Sequence, residues 1–375
     1  MRNMKRVASG MATLALVLSA CGGSTASTAP SAAVPSVAAP SAAAPSVAAP
    51  SVAAPSAAAP SAAAAATLDP ATMKIVTVVK LLGVGWFDRM ETGIKEFAAA
   101  TGINATMTGA DDASPEKQLK IIQDLIPQKP TAITVVPNSP ESLEGVLKQA
   151  MDAGIVVVTH EASTQKNTNI DIEGFNNAAY GAHIMDGLAA CMGESGKYAA
   201  FVGHLTAQSH MEWVKGAFDQ AAAKYPGITR VSDPIEGLED ANVAYQKTKE
   251  LLAKYPDIKG FEGSAATDVA GIGRAIQEAG LQDKTCVMGT SIPSIVTNYL
   301  PDNSVDKIFF WDPALAGKAQ DILAVMFANK QEITPGLNLG ITGYEAIQPI
   351  AGTPHAWAGS AWVDVDKSNA AQYPF

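Results

Sequence analysis

The chain has 375 residues, 26 Lys plus Arg against 36 Asp plus Glu, a net charge of −10 and 3 Cys, enough for two domains of roughly 100–150 residues and an appendage. The acidic balance, with no Lys/Arg-rich run, excludes a nucleic-acid-binding protein, because phosphate backbones require a basic surface. Hydrophobic residues make up 47% of the chain, but the tract from Ala29 to Ala66 is almost entirely Ala, Pro, Ser and Val and buries too little side chain to offset its ordering entropy, so the foldable part starts near Thr67.

Residues 1–20 open with Arg2, Lys5 and Arg6, continue with an apolar run from Met11 to Leu18, and lead into Leu18-Ser19-Ala20-Cys21. That run is shorter than the roughly 20 residues a membrane span needs, and its order of basic, apolar and small residues fits a secretory signal. Removing it leaves a charge of −13. Leu-Ser-Ala-Cys resembles the bacterial lipoprotein signal, which implies cleavage before Cys21, lipidation of Cys21 and an anchor on the extracytoplasmic face of the cell membrane. Residues 21–71 then read as a stalk: Pro30, Pro35, Pro40, Pro45, Pro50, Pro55 and Pro60 recur every five residues, which blocks helix and favours extended backbone. An extracytoplasmic address permits disulfides. With Cys21 committed to lipid, Cys191 and Cys286 are left either as a bridge or as two buried thiols.

From Met73 onward, short β-rich runs alternate with amphipathic stretches. Strands are expected at 74–79, 131–136, 155–158, 198–202, 286–288 and 305–310, and helices at 88–101, 115–126, 140–153, 211–224, 241–255 and 266–279. Continuous apolar strands separated by helices predict α/β architecture with parallel sheets covered on both faces. The pattern runs once to about Asn176 and again to Phe310, giving two doubly wound lobes. In such sheets ligands sit beyond the carboxyl ends of the strands.

Those ends carry the candidate residues. After the first strand come Lys80 and then Gly83-Val84-Gly85-Trp86-Phe87-Asp88; Asp88 stands where a dinucleotide loop needs its third glycine, so nucleotide binding is rejected. Adjacent Trp86 and Phe87 suit stacking on the apolar face of a sugar ring, or one of them is simply a core residue. Thr159-His160-Glu161 ends a later strand, and a carboxylate there accepts hydrogen bonds from vicinal hydroxyls. His210 lies in a polar cluster opening a helix, while Ser264 and Ser291 follow later strands. Thr267-Asp268 reads as a helix cap or as part of the site, and Trp311-Asp312-Pro313 offers an aromatic face and an acceptor that equally reads as a cap. No catalytic signature appears, and the five histidines lack metal-ligand spacing. No cofactor and no metal are expected.

Val79 to Phe87, Val157 to Glu161 and Phe310 to Pro313 together resemble the bacterial solute-binding proteins of ABC sugar importers, of the ribose, rhamnose and autoinducer-2 type. The resemblance covers residues 73–375 and implies the type I periplasmic-binding-protein fold: two lobes joined by three crossovers, expected near 174, 309 and 338, with ligand clamped between them. Lobe 1 is then 72–174 plus 310–338 and lobe 2 is 175–309 plus 339–375. Trp86 and Phe87 look like the pair of aromatics that flanks the sugar in ribose binders, but Ala162 stands where those proteins have arginine. Lys80 and Glu161 match residues of the autoinducer-2 binders, whereas Ser209-His210 and Val269-Ala270-Gly271 replace an Asp-Gln pair and a Pro-x-Ala turn.

The expected function is capture of a small neutral sugar or polyol and its delivery to an ABC permease and ATPase, by a monomer that performs no chemistry. The expected contacts are Lys80, Trp86, Phe87 and Glu161 from one lobe, His210, Ser264 and Ser291 from the other, and Trp311 and Asp312 near the hinge. A sensor presenting a sugar or an autoinducer-2-like signal is the alternative. A secreted carbohydrate-active enzyme, using Glu161 and Asp312 as a carboxylate pair, is a more distant one.

Overall fold

The computed structural model describes residues 67–375; the signal, Cys21 and nearly all of the stalk lie outside the described residues. The first lobe is built from β1 (Lys74–Val79), α1 (Gly85–Thr101), β2 (Asn104–Gly109), α2 (Pro115–Leu125), β3 (Ala132–Val135), α3 (Pro140–Asp152), β4 (Val156–Thr159) and β5 (Ile170–Glu173). Local chemistry marks the helix starts: Ser114 caps α2 and Ser139 caps α3, each followed by proline in the first turn, where a missing N–H costs nothing.

The second lobe follows as α4 (Asn177–Met192), β6 (Ser195–Val202), α5 (Gln208–Lys224), β7 (Gly227–Arg230), β8 (Ile235–Glu236), α6 (Ala241–Lys254), β9 (Ile258–Gly263), α7 (Ala266–Ala279), β10 (Cys286–Thr290), α8 (Pro293–Val296) and β11 (Lys307–Phe310). The chain then returns as α9 (Pro313–Ala328), β12 (Gln348–Pro349) and β13 (Ala356–Ala358), and ends after β14 (Val363–Val365). The first sheet has the order β12-β13-β5-β4-β3-β1-β2 and the second β14-β11-β10-β9-β6-β7, with β8 also on β6. Both are parallel except for the edge pairs β12/β13 and β11/β14.

The chain passes between sheets three times. The first crossover follows β5 at Gly174, the second runs through Trp311 and Asp312, and the third lies between β13 and β14. This corrects the expected boundaries. Phe310 ends a strand of the second sheet, and the segment after 338 stays with the first sheet through β12 and β13, because β13 pairs in parallel with β5. The third crossover is therefore near 359–362, not 338. The crossovers touch: Gly359 N–H donates to Glu173 O and Ala361 N–H to Gly174 O, both at 3.0 Å. Gly174 fits closely there, since a Cβ would sit 3.1 Å from the Trp311 ring and push it by a few tenths of an ångström.

Cys191 in α4 and Cys286 at the start of β10 form a disulfide with Cα atoms 6.0 Å apart, inside the second lobe. Among the described residues no helix is long and apolar enough to cross a membrane.

Glu262, in central strand β9, is fully buried with neither carboxylate oxygen hydrogen-bonded. Burial pushes its pKa up to about 8 from an ordinary 4.5. Below pH 4.5 both folded and unfolded chains are protonated here. As the pH rises the unfolded chain ionises first, so stability is lost until the folded carboxyl ionises near 8. Glu262→Gln should therefore gain on the wild type by roughly 3 kcal/mol between pH 5 and pH 8. Denaturant melts at both pH values check this, and a pH-independent difference would refute it.

Candidate functional site

The carboxyl ends of both sheets face each other across a narrow cavity of about 20 Å³, room for about one water molecule and far less than the volume of an open small-molecule site. It is lined from the first lobe by Lys80, Val84, Trp86, Phe87 and Glu161, from the second by His210, Trp213, Glu239, Ser264, Ala265, Ala266 and Thr290, and by Trp311 of the second crossover.

Lys80 leaves β1 with its carbonyl held by Asn138 Nδ2 at 2.9 Å. Its Nζ lies 2.7 Å from Glu161 Oε2, and both side chains are 4% exposed. Glu161 leaves β4 with φ of 60°, a left-handed conformation uncommon outside glycine that aims its carboxylate at Lys80. Ser209 Oγ of α5 donates to the same Oε2 at 3.0 Å, from the other lobe. Burial opposes both charges. The carboxylates of Glu161 and Glu239 nevertheless keep the ammonium above its usual range, and Lys80, His160 and Ser209 keep Glu161 below its own. The cavity thus holds a charged, paired Lys80 and Glu161.

His210 is neutral, because burial and the adjacent Lys80 push its pKa well down. The Gly203 N–H donates to His210 Nδ1 at 3.1 Å, so the network assigns the ring proton to Nε2. That N–H faces Lys80 Nζ at 3.4 Å. Two donors cannot satisfy one another, and an oxygen placed beside both would accept from each. Ser264 Oγ and Glu239 Oε1 are buried without hydrogen-bond partners. The opposite wall is aromatic: the Trp311 ring lies 4.8 Å from Trp86 and 5.6 Å from Trp213, both edge-on. The cavity therefore pairs an apolar wall with a polar wall offering donors and acceptors.

Of the residues expected from sequence, Lys80, Trp86, Phe87, Glu161, His210, Ser264 and Trp311 meet in this one cavity, while Ser291 and Asp312 do not. Ser291 is fully buried and donates to Ala266 O at 2.9 Å, so its hydroxyl is used in packing the second lobe. Asp312 caps α9 and grips Arg89 of α1 with both oxygens, at 2.8 and 2.6 Å. The suggested Glu161 and Asp312 carboxylate pair accordingly does not share the cavity. Asp268 accepts the Ala265 N–H at 2.9 Å, a first-turn role in α7, and does not line the cavity.

Sequence reasoning misses Trp213, Glu239 and Thr290. Trp213 sits three residues after His210 on α5 and so shares its helix face, a signal that was available. Thr290, which precedes Ser291, presents the cavity side of the exit from β10. Glu239 carries no local signal.

Comparison with known proteins places this geometry. The family profile of the periplasmic binding protein domain matches residues 75–331. The ribose import binding protein RbsB of Escherichia coli strain K12 is 26% identical over 211 residues, covering 56% of this chain and 69% of that protein. The D-ribose/D-allose-binding protein of Pseudomonas aeruginosa is 24% identical over 248 residues, covering 62% and 75%. Among solved structures, an ABC transporter solute-binding protein from Clostridium phytofermentas with bound L-rhamnose has a TM-score of 0.75 at 20% identity, covering 80% of this chain and 98% of that one. LsrB from Clostridium saccharobutylicum in complex with AI-2 also has a TM-score of 0.75, at 18% identity, covering 81% and 100%.

Leaving one partner of a buried pair uncompensated is costly. Lys80→Met should lower folding stability by about 3–5 kcal/mol, and the double variant Lys80→Met/Glu161→Met should recover much of it. Urea melts of the wild type, Lys80→Met, Glu161→Met and the double variant check this. A loss in the double variant equal to the sum of the two single losses would show that the pair is not coupled.

Proposed function

We propose that this chain, which belongs to the periplasmic binding protein domain family, is the extracytoplasmic solute-capturing component of an ABC importer and binds a small neutral sugar or polyol between its lobes. The observation that carries this reading is a cavity at the strand ends into which both lobes send hydrogen-bonding groups, Lys80 and Glu161 from one and His210, Glu239 and Ser264 from the other, beside an aromatic wall. Ring hydroxyls both donate and accept, so they suit this mixture. A carboxylate or phosphate would be repelled by Glu161 and Glu239 and would fit it poorly.

Contacts across the lobes explain how capture becomes a signal for delivery. Ser209 Oγ donates to Glu161 at 3.0 Å, Thr206 Oγ to Asn138 O at 3.2 Å and Ser163 Oγ to Glu212 at 2.6 Å, each joining one lobe to the other. A ligand that contacts both lobes favours the arrangement in which these bonds form, and the closed form is what a permease distinguishes. Cys21 is the lipid-bearing residue in this reading, and the tract after it is the tether to the membrane.

Two experiments test the proposal. Protein unfolded and refolded to remove carried-over ligand should melt at higher temperature with one or more of D-ribose, D-allose, L-rhamnose, D-arabinose and D-tagatose. Saturation at 100 times Kd corresponds to about 2.7 kcal/mol. No shift with any of these or with linear polyols would defeat the ligand assignment. Separately, labelled fatty acid should enter the wild-type chain in a bacterial host and not Cys21→Ser; equal labelling of the two would remove the lipid anchor.

A further inference from the structure

Glu239 lines the cavity with a buried carboxylate oxygen, Oε1, that has no hydrogen-bond partner, and, unlike Glu161, it is held by no side chain of the protein. Its side chain is 8% exposed, and Oε1 stands 4.0 Å from Lys80 Nζ, beyond hydrogen-bond reach. Lys80 is already bonded to Glu161 at 2.7 Å.

The backbone commits effort to this placement. Leu238 and Glu239 are successive non-glycine residues in the left-handed region, with φ of 57° and 54°, a conformation held only where the surroundings impose it. Here the imposition is visible: Gly237 N–H donates to Val202 O and Leu238 N–H to Gly203 O, both at 2.8 Å, tying the turn to the end of β6. Gly203 leaves the space, since a Cβ there would lie 2.3 Å from Glu239 Oε1. A solvated loop carboxylate needs none of this.

Resting on the function proposed above, we infer that Glu239 is a specificity-determining residue: it accepts a hydrogen bond from one ligand hydroxyl and thereby selects neutral polyhydroxy compounds over their acids. The same hydroxyl has an oxygen free to accept from Lys80 or His210, whose N–H groups point at the same space. Burial pushes the Glu239 pKa up, with Glu161 adding to the effect and Lys80 opposing it; a ligand donor replaces the water that burial removes.

The test uses refolded full-length protein and isothermal titration with D-ribose, L-rhamnose, D-arabinose and D-tagatose, then with singly deoxygenated forms of the tightest binder and with its acid. Glu239→Met keeps the length of the side chain without its acceptor, and Glu239→Ala removes it; melting curves confirm that each folds, and Glu239→Met decides the matter if the alanine variant does not. The substitution should weaken the parent sugar by about ten- to hundred-fold and should cost nothing further for one deoxygenated form, the one lacking the hydroxyl that Glu239 reads. It should also narrow the gap between sugar and acid. An equal loss for every deoxygenated form would mark a structural role and overturn the inference, as would unchanged affinity in both variants. If the wild type binds none of the probes, the ligand assignment of the preceding section fails and takes this inference with it, an outcome distinct from sugar binding that is indifferent to Glu239.

Discussion

The site is organised by the need to keep a buried ammonium ion paired. Lys80 is withdrawn from water at the end of β1, and removing such a charge from water costs several kcal/mol unless a carboxylate stands beside it. Glu161 meets that need at 2.7 Å and adopts a left-handed backbone to do so. Once the pair exists, its unused hydrogen-bonding capacity lies at the cavity wall. Ser209 takes one lone pair of Glu161 from the opposite lobe, and the protons of Lys80 not held by Glu161 face the cavity with the His210 N–H. The pair thus joins the cavity to a contact between the lobes.

Trp311 makes the corresponding connection on the apolar side. It is 1% exposed, forms part of the cavity wall and is at the same time the second crossover. Its indole N–H donates to His160 Nε2 at 3.1 Å, and the other ring nitrogen of His160 contacts the carbonyl of Ile172, just before the first crossover. Gly174 packs against the ring and Phe175 lies edge-on to it at 5.1 Å. The cavity wall and the crossover are therefore one piece of structure, so a change at either is felt at the other.

Much of the fold was legible because the central strands are buried on both faces and read as unbroken apolar runs, as in Lys74–Val79. Elements outside that condition were harder. Edge strand β2 has a mostly part-exposed pattern and few large apolar residues. Helix α4 shows little amphipathicity because it is covered by the second sheet and by α5 together, which leaves small and apolar residues on several faces. The third crossover lies later than the sequence suggests because β12 and β13 are two and three residues long, and only the pairing of β13 with β5 and of β12 with β13 assigns them to the first sheet.

The sequence by itself determined the two-lobed α/β plan, the acidic character that turns away nucleic acid, and the strand ends at which to look for a site, because burial periodicity and turn chemistry are local. Only the tertiary structure decided which of those ends share a cavity. Asp312 and Ser291 have the same composition cues as Glu161 and Ser264, yet the first pair is consumed by Arg89 and Ala266 O while the second faces the cavity. Glu239 could not be anticipated at all: its role comes from a turn pinned to β6 and from the space left by Gly203. Whether a polar group is spent on the protein or left for a ligand depends on partners distant in sequence, and no local pattern records them.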